Sequence, residues 1–225
     1  MDLVDAFFNG QVMLRSFPIL MRGVGNTILL GFATIFCGSI AGLAICLIRL
    51  YGPRLLQLLA IGFIDIFRAL PALVTLVLIY YALPFLGISL PSFTAATLAL
   101  SIVFASFFAE ICRAGIDSIP KAQFEAAYAL GLPFRLTMAK VVLPQAFRII
   151  IPPYTSSCIS VFKDTALASV VAVPDLLKQA NDAQALTANP TPLVLAAIIY
   201  LILLWPMVRF VGYLENRQKK DSETL

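Results

Sequence analysis

The sequence predicts an all-α integral membrane protein with five transmembrane helices. Of its 225 residues, 60% are hydrophobic and only 12% are charged, and long runs almost free of charge recur along the chain. A helix of about 20 residues crosses a hydrocarbon layer about 30 Å thick, and each run is long enough to do so. Helices are expected because backbone groups inside lipid must form their hydrogen bonds within the segment. The alternating pattern of a membrane β-barrel is absent.

The N-terminal part of the chain differs from the spans that follow. Residues 1–22 are expected to form an interfacial segment, because aromatic residues are interspersed there with Arg15 and Arg22. A single membrane domain is expected over residues 23–214. Its five predicted spans are residues 24–48, 55–82, 92–113, 148–173 and 192–214.

Smaller features mark the ends of these spans. In the first span, Gly38 and Gly42 lie four residues apart, a spacing that lets a neighbouring helix approach closely. The stretch 174–190 is more polar and is expected to be a wet connection. Pro206 is expected to kink the last span. Residues 215–225 are charged and are expected to form a solvated cytoplasmic tail.

The distribution of basic residues predicts the orientation of the chain. With five spans, the loop at residues 49–54, the polar insert at residues 114–147 and the tail fall on one side, and all three are rich in Lys and Arg. The opposite side carries little more than Arg15, Arg22 and Lys178. The positive-inside rule therefore places the N-terminus outside and the C-terminus in the cytoplasm.

Composition also excludes several kinds of site. The chain contains no histidine, which removes most zinc sites and the usual base of a catalytic triad, and no metal site is expected. Its four cysteines lie in or beside apolar segments without a CxxC spacing, so they are expected to behave as small hydrophobic residues. No phosphate-binding G-x-x-x-x-G-K-[ST] loop is present, so this chain is not expected to bind ATP itself. No nucleic-acid partner is expected.

The polar insert at residues 114–147 is predicted to be a helix, a turn and a second helix. Ser118 is expected to cap the first helix, and Pro120 suits its first turn. Gly131 can supply a left-handed end, Pro133 can begin the second helix, and Pro144 is expected to mark the bend back into the membrane. The residues alone leave two interpretations open, an ordinary surface hairpin or a docking element for a protein in the water.

One motif in the insert resembles a known family. Glu125-Ala126-Ala127, three residues, Gly131, nine residues and then 141–144 (VVLP) resemble the EAA motif of binding-protein-dependent ABC transporter permeases, with valine for the usual isoleucine at the start of the last group. The resemblance implies the type I ABC importer permease fold. It also implies that the insert is a coupling helix between spans three and four, which docks in a cleft of a cytoplasmic ATPase through Glu125, Ala126, Ala127 and Gly131.

Other stretches are similar to the polar amino acid permeases within that family, namely residues 67–71 (FRALP), 109–123 and 163–167 (KDTAL). Ser156 stands where that group usually has asparagine, a departure that bears on substrate identity. The resemblance implies import of a polar amino acid or a derivative such as an opine across a bacterial cytoplasmic (inner) membrane. It implies four kinds of partner besides membrane lipid: an ABC ATPase dimer that binds ATP and Mg, a second permease subunit, an extracytoplasmic solute-binding protein and the amino-acid substrate. This chain itself is not expected to be an enzyme.

Charged residues inside the predicted spans are the candidates for a transport pathway. A charge near the bilayer centre costs at least ~2.5–3.5 kcal/mol, so it is expected to face a partner or a water-filled path. Asp65 and Arg68 lie three residues apart and could pair, whereas the adjacent Lys163 and Asp164 point about 100° apart on a helix.

Two interpretations of these charges stay open. In the first, Arg68 binds the carboxylate of an amino acid, Asp164 binds its ammonium group and Thr165 adds a hydrogen bond. In the second, the charges form structural ion pairs. Glu110 lies three residues before Arg113 near the cytoplasmic boundary and, although on the candidate pathway, is expected to be a structural pair.

Two other classes of function compete with an ATP-driven importer. An ion-coupled carrier or channel acting alone could use the same charges as a relay, but it would have no need of a docking helix. An intramembrane aspartyl protease would need two acids such as Asp65 and Asp164. The G-x-G-D sequence expected around such an acid surrounds neither of them.

Overall fold

The computed structural model describes residues 7–223, with side chains as far as Glu215, and every regular element in that part of the chain is helical. We number the α-helices α1 to α9. They are α1 (Gly10–Tyr51), α2 (Arg54–Ala69), α3 (Ala72–Val77), α4 (Ser92–Asp117), α5 (Lys121–Ala129), α6 (Phe134–Thr137), α7 (Leu143–Asp164), α8 (Leu176–Thr187) and α9 (Thr191–Glu223).

Helix α1 begins much earlier than the sequence predicted. Asn9 caps it, because its side-chain oxygen accepts hydrogen bonds from the backbone N–H groups of Gln11 and Val12. The helix then runs 42 residues without a break, and Pro18 lies inside it. The predicted start of a span at residue 24 is therefore not also the start of a helix, since no cap or breaker occurs there. Residues 1–6 of the expected interfacial segment lie outside the described residues.

The second predicted span is broken rather than continuous. Helix α2 ends at Ala69, and the segment Ala72–Leu86, which begins as α3, leaves at 107° to it. That segment continues as a π-helical turn, Leu78–Ala82, and a 3₁₀ turn, Leu83–Leu86. Pro71 explains the break, because a proline disfavours helical geometry in the residue before it, and Leu70 is extended with ψ of 134°. The expectation of a single helix over residues 55–82 is wrong for this reason.

Helix α4 is the central element of the bundle. In its most apolar stretch 61% of residues are buried, against 28% in α1 and 22% in α9. Helix α1 packs along α4 almost backbone to backbone, because a Cβ added to Gly38 would lie 3.0 Å from the Ser101 carbonyl oxygen, and one on Gly42 would lie 2.8 Å from that of Ala105. The contacts advance in the same direction along both helices, so α1 and α4 are parallel.

The fourth predicted span has an unbroken helical path from Phe134 to Val171 that changes type twice. A π-helical turn, Met138–Val142, joins α6 to α7, and a 3₁₀ helix, Thr165–Val171, follows α7. The bend expected at Pro144 is not formed, because this proline lies in the first turn of α7, where a missing N–H costs little. The sequence did not indicate the change to 3₁₀ geometry after Asp164.

The stretch expected to be a wet connection contains a helix of its own. Asp175 caps α8 by accepting a hydrogen bond from the Lys178 N–H at 2.8 Å. Helix α8 is held against α1, because the Leu176 N–H donates to the Thr27 hydroxyl oxygen and Asn26 donates to the Pro174 carbonyl. The connection is therefore a packed part of the bundle.

The last helix is longer than the predicted span. Helix α9 continues through Pro206 and through most of the expected tail as far as Glu223, so the backbone of that part of the tail is helical. Within residues 7–223, three helices are long and apolar enough to cross a membrane, and the number becomes five if each of two bent helix pairs counts as one span.

Candidate functional site

The first helix of the insert ends as its glycine predicts. Helix α5 stops at Ala129, and Gly131 has a φ of 73°, in the left-handed region. The Leu132 N–H reaches back to the Ala127 carbonyl at 3.1 Å, and the Gly131 N–H donates to the Tyr128 carbonyl. Such bonds satisfy carbonyls that a helix end would otherwise leave open. The sequence prediction of a left-handed end at Gly131 is confirmed.

The beginning of α5 differs from the prediction. Pro120 occupies the cap position, and no side chain caps this end. The Ser118 hydroxyl instead donates to the Gly115 carbonyl, in the last turn of α4. The expectation that Ser118 caps the first helix is therefore wrong, because its hydroxyl already has a local backbone acceptor. Pro133 does precede α6, as expected.

The insert is anchored on the ends of the spans that flank it. Ile119, Val142 and Ala146 are buried together, and Phe124 of α5 packs against them. A Cβ on Gly115 would lie 2.4 Å from Ile150, which shows how closely α4 and α7 meet beneath the insert. Because interiors so closely packed resist deformation, a force on the insert passes to α4 and α7.

The outer surface of the insert is apolar as well as charged. Glu125 and Ala126 are exposed, whereas Ala127, expected to share that surface, is only 3% exposed. No ion pair of Glu125 is found among the described side chains, not even with Lys121, which lies four residues earlier in the same helix. Four large apolar side chains are also exposed: Tyr128, Leu130, Phe134 and Leu136. Exposed apolar patches rimmed by polar residues are typical of protein interaction sites.

A second candidate feature is a cavity of about 280 Å³ between α4 and α7. Asp164 lines it together with the hydroxyl-bearing Ser157 and Ser160. The remaining lining residues are Leu100, Val103, Phe104, Phe107 and Val161. Asp164 is half-buried, and no cation lies within ion-pair distance of it among the described residues. This combination gives one acidic group and two hydroxyls in an otherwise apolar space.

Arg68 contacts a residue that lines the same cavity, and it does not form the ion pair with Asp65 that the helical spacing allowed. Its guanidinium carbon is 5.7 Å from the centre of the Phe107 ring, within the range of a cation–π contact. Asp65 is exposed, and its expected ion pair with Arg68 is not found in the described residues. The reason is that Arg68 lies over an aromatic ring of another helix.

Lys163 and Thr165 lie away from the cavity. Lys163 is exposed, and no ion pair of this lysine is seen within the described part of the chain. Thr165 is fully buried, and its hydroxyl donates to the Phe162 carbonyl at 2.7 Å, a contact made inside the helix itself. The expected hydrogen bond from Thr165 to a substrate therefore has no support in the geometry, because its donor is already used.

Glu110 is the centre of an ion-pair network. It binds Arg113 one turn along α4, as the sequence predicted, and Arg49 of α1 at 2.6 Å. Arg113 also binds Asp117. The sequence analysis did not predict the ion pair of Glu110 with Arg49. The position of Arg49, in a basic loop at the end of the first span, could have indicated it. The network joins the neighbouring ends of α1 and α4.

An aromatic cluster that the sequence did not indicate lies at the cavity wall. The rings of Phe104, Phe108 and Tyr154 contact one another, with 4.9 Å between the centres of Phe108 and Tyr154. The Tyr154 hydroxyl is 3.1 Å from the Ser39 hydroxyl of α1. Because Phe104 both lines the cavity and packs on Gly38, the cluster connects the cavity to the α1–α4 contact.

Comparison with known proteins agrees with this geometry. Residues 17–220 match the family described as "Binding-protein-dependent transport system inner membrane component". Two relatives from Bacillus subtilis (strain 168) are a probable amino-acid ABC transporter permease protein, YckA, and a probable glutamine ABC transporter permease protein, GlnM. The first is 35% identical, covering 96% of this chain and 94% of the relative. The second is 33% identical, covering 95% of this chain and 99% of the relative.

Solved structures show the same fold. A chain of "an amino acid ABC transporter with histidines" superposes with a TM-score of 0.86 at 33% identity, covering 91% of this chain and 96% of that one. The MetNI methionine ABC transporter, in an inward-facing conformation, superposes with a TM-score of 0.72 at 23% identity, covering 87% and 96%. The chain therefore belongs to the family of inner membrane components of binding-protein-dependent transport systems.

Proposed function

We propose that this protein is the permease subunit of an ATP-driven importer for a polar amino acid, or for a derivative such as an opine, and that its insert couples transport to a separate ATPase. The observation that best supports this proposal is the surface of the insert. There, Glu125 and Ala126 of the EAA motif are exposed beside apolar side chains such as Leu130, which is 79% exposed. A surface of this kind in water is best explained by a partner that covers it. The family of the chain makes an ABC ATPase the natural partner.

The cavity supports an amino acid as the solute. A zwitterionic amino acid needs an anion near its ammonium group and a cation near its carboxylate. Asp164 supplies the first inside the cavity, and Arg68, stacked on the lining residue Phe107, supplies the second. Charge-assisted hydrogen bonds of this kind are stronger than those between neutral groups. The names of the relatives, which include glutamine and arginine permeases, point to the same class of solute.

The proposed complex contains two permease subunits, a cytoplasmic ATPase dimer that binds ATP and Mg, and an extracytoplasmic solute-binding protein that delivers the solute. The N-terminus lies outside and the C-terminus in the cytoplasm, because the insert and the tail carry most of the basic residues. Closure of the ATPases brings the two inserts together. The flanking helices α4 and α7 then move with them and open the cavity outward.

The proposal is tested by uptake into vesicles that contain the permease, the ATPase encoded with it and the solute-binding protein. Uptake of a polar amino acid should require ATP. Asp164→Asn and Arg68→Ala should each reduce uptake at least about tenfold, which corresponds to the loss of about 1.4 kcal/mol of binding at the transport step. Asp182→Asn is the matched control, because Asp182 is an exposed acid on α8 paired with Lys178.

Two results would contradict the proposal. Uptake that needs neither nucleotide nor ATPase would identify an ion-coupled carrier or a channel instead. Wild-type uptake by both Asp164→Asn and Arg68→Ala, in complexes shown to assemble normally, would remove the assignment of the cavity to the solute.

A further inference from the structure

The end of α1 makes a contact with the insert that the sequence did not predict. Tyr51, the last residue of α1, packs its ring edge-on against Phe134, with 6.0 Å between ring centres and 73° between ring planes. Its hydroxyl lies 4.0 Å from the Met138 sulfur, across a sequence separation of 87 residues. Phe134 begins α6, and Met138 begins the π-helical turn that leads into α7.

The position of this contact in the insert is mechanically important. It lies on the second helix of the insert, just after Pro133 and the left-handed Gly131. A π-helical turn such as Met138–Val142 is uncommon and is frequently found at functional sites. Along the chain, this stretch connects α5 to α7.

On the other side of the contact, α1 is tied firmly to α4. Arg49, two residues before Tyr51, binds Glu110 of α4 at 2.6 Å. Further along, Gly42 and Gly38 meet Ala105 and Phe104 at distances that leave no room for a Cβ. Because such packing has discrete arrangements rather than a continuous range, α1 and α4 are expected to move as one body.

Helix α4 of this pair forms one wall of the cavity. Phe104, which packs on Gly38, lines the cavity that also contains Asp164. A continuous series of contacts therefore runs from Phe134 through Tyr51, the Arg49–Glu110 ion pair and Gly38 to Phe104. This route is separate from the covalent one, in which the insert pulls directly on α4 and α7.

We propose that Tyr51 is a positioning residue for energy coupling, whose ring transmits displacement of the insert to the α1–α4 pair that borders the cavity. The inference rests on the proposed function, since it requires an ATPase that moves the insert. A simpler role for Tyr51 is that of an interfacial anchor, because tyrosines are enriched at membrane surfaces and this one is 52% exposed. The two roles predict different outcomes for coupling.

The test measures solute molecules transported per ATP hydrolysed, in vesicles that contain the complete complex. Tyr51→Ala should lower this ratio roughly 2- to 10-fold, the range expected for the loss of one aromatic pair, while ATP hydrolysis continues. Tyr51→Phe keeps the ring and should retain most of the wild-type ratio. Tyr213→Ala is the matched control, because Tyr213 is an exposed tyrosine on α9, and the described residues show no ring contact for it.

A double-substitution cycle identifies the partner. Phe134→Ala should lower the ratio as Tyr51→Ala does, and the two together should be little worse than either alone, since both remove the same contact. If Tyr51→Ala fails to assemble, Tyr51→Leu replaces it, because leucine keeps apolar volume without a ring.

The outcomes separate this inference from the proposed function. A wild-type ratio in Tyr51→Ala or Tyr51→Leu overturns the role of Tyr51 and leaves the proposed function intact. Equal loss in Tyr51→Phe and Tyr51→Ala also overturns it, because the ring would then not be the element that transmits. Absence of ATP-dependent uptake in the wild-type complex contradicts the proposed function itself.

Discussion

The close approach of α1 and α4 gives a quantitative prediction for Gly42→Ala. The new Cβ would lie 2.8 Å from the Ala105 carbonyl oxygen and 3.2 Å from the Ala105 Cα, both of them backbone atoms. Ordinary contacts begin at 3.4 Å, and backbone atoms cannot rotate away, so the two helices must separate by about 0.6 Å. Overpacking of this kind costs about 1–3 kcal/mol.

Gly25→Ala is a control within the same helix. Nothing lies within 4 Å of the position where its Cβ would be, and Gly25 is exposed in the chain. Because alanine is favoured over glycine in a helix by about 0.5–1 kcal/mol, this substitution should leave stability unchanged or raise it slightly. The same chemical change in α1 is therefore predicted to act in opposite directions at two positions.

The assay is thermal unfolding of the purified protein in detergent, followed by circular dichroism. For a chain of this size each kcal/mol shifts the midpoint by about 2–4 °C, so Gly42→Ala should lower it by about 2–12 °C relative to the wild type. Gly25→Ala should not lower it. Equal midpoints for Gly42→Ala and Gly25→Ala would refute the conclusion that α1 and α4 are in backbone contact.

Three further stability predictions use the same assay. Glu110→Gln should cost about 1–3 kcal/mol, because two arginines lose their ionic acceptor; an unchanged midpoint would show that the network contributes nothing. Gly131→Ala should lower the stability of the protein and Ala188→Gly should raise it, each by about 1 kcal/mol. The reason is that φ lies in the left-handed region at both positions, at 73° for Gly131 and 48° for Ala188. Shifts of the same sign would contradict this. Thr27→Val should cost about 1–3 kcal/mol by leaving the buried N–H of Leu176 without its acceptor, whereas Thr27→Ser should retain the bond; equal loss in both would reject that account.

The parts of the fold that could be predicted from the sequence are those with local causes. Gly131 and Pro133 place the turn of the insert correctly, because a left-handed end and the start of a helix depend on neighbouring residues. The pair of Glu110 with Arg113 follows from helical spacing alone. The apolar runs indicate where helices occur because lipid imposes that solution on the backbone.

The parts that could not be predicted depend on contacts distant in sequence. Helical spacing allowed Arg68 to pair with Asp65 within its own helix, but its guanidinium group lies over the Phe107 ring of α4 instead. The partner of Glu110 from α1 and the contact of Tyr51 with the insert arise only once helices are packed. The start of α1 could not be predicted, because hydropathy reports where a span can lie and does not report how far the helix extends beyond it.

The central claim is that the insert docks on an ATPase, and site-specific cross-linking tests it most directly. The background is Cys37→Ser, which removes the one exposed cysteine among the described residues and leaves three buried ones. In it, a cysteine introduced at the exposed Ala126 should cross-link to the ATPase in native membranes. A cysteine at Leu186 is the control, because that side chain is 82% exposed on α8, in the connection predicted to lie on the opposite face of the membrane. Cross-linking by Ala126→Cys alone is the predicted result. Absence of a cross-link in a complex that transports with ATP, or an equal cross-link from Leu186→Cys, would contradict the claim.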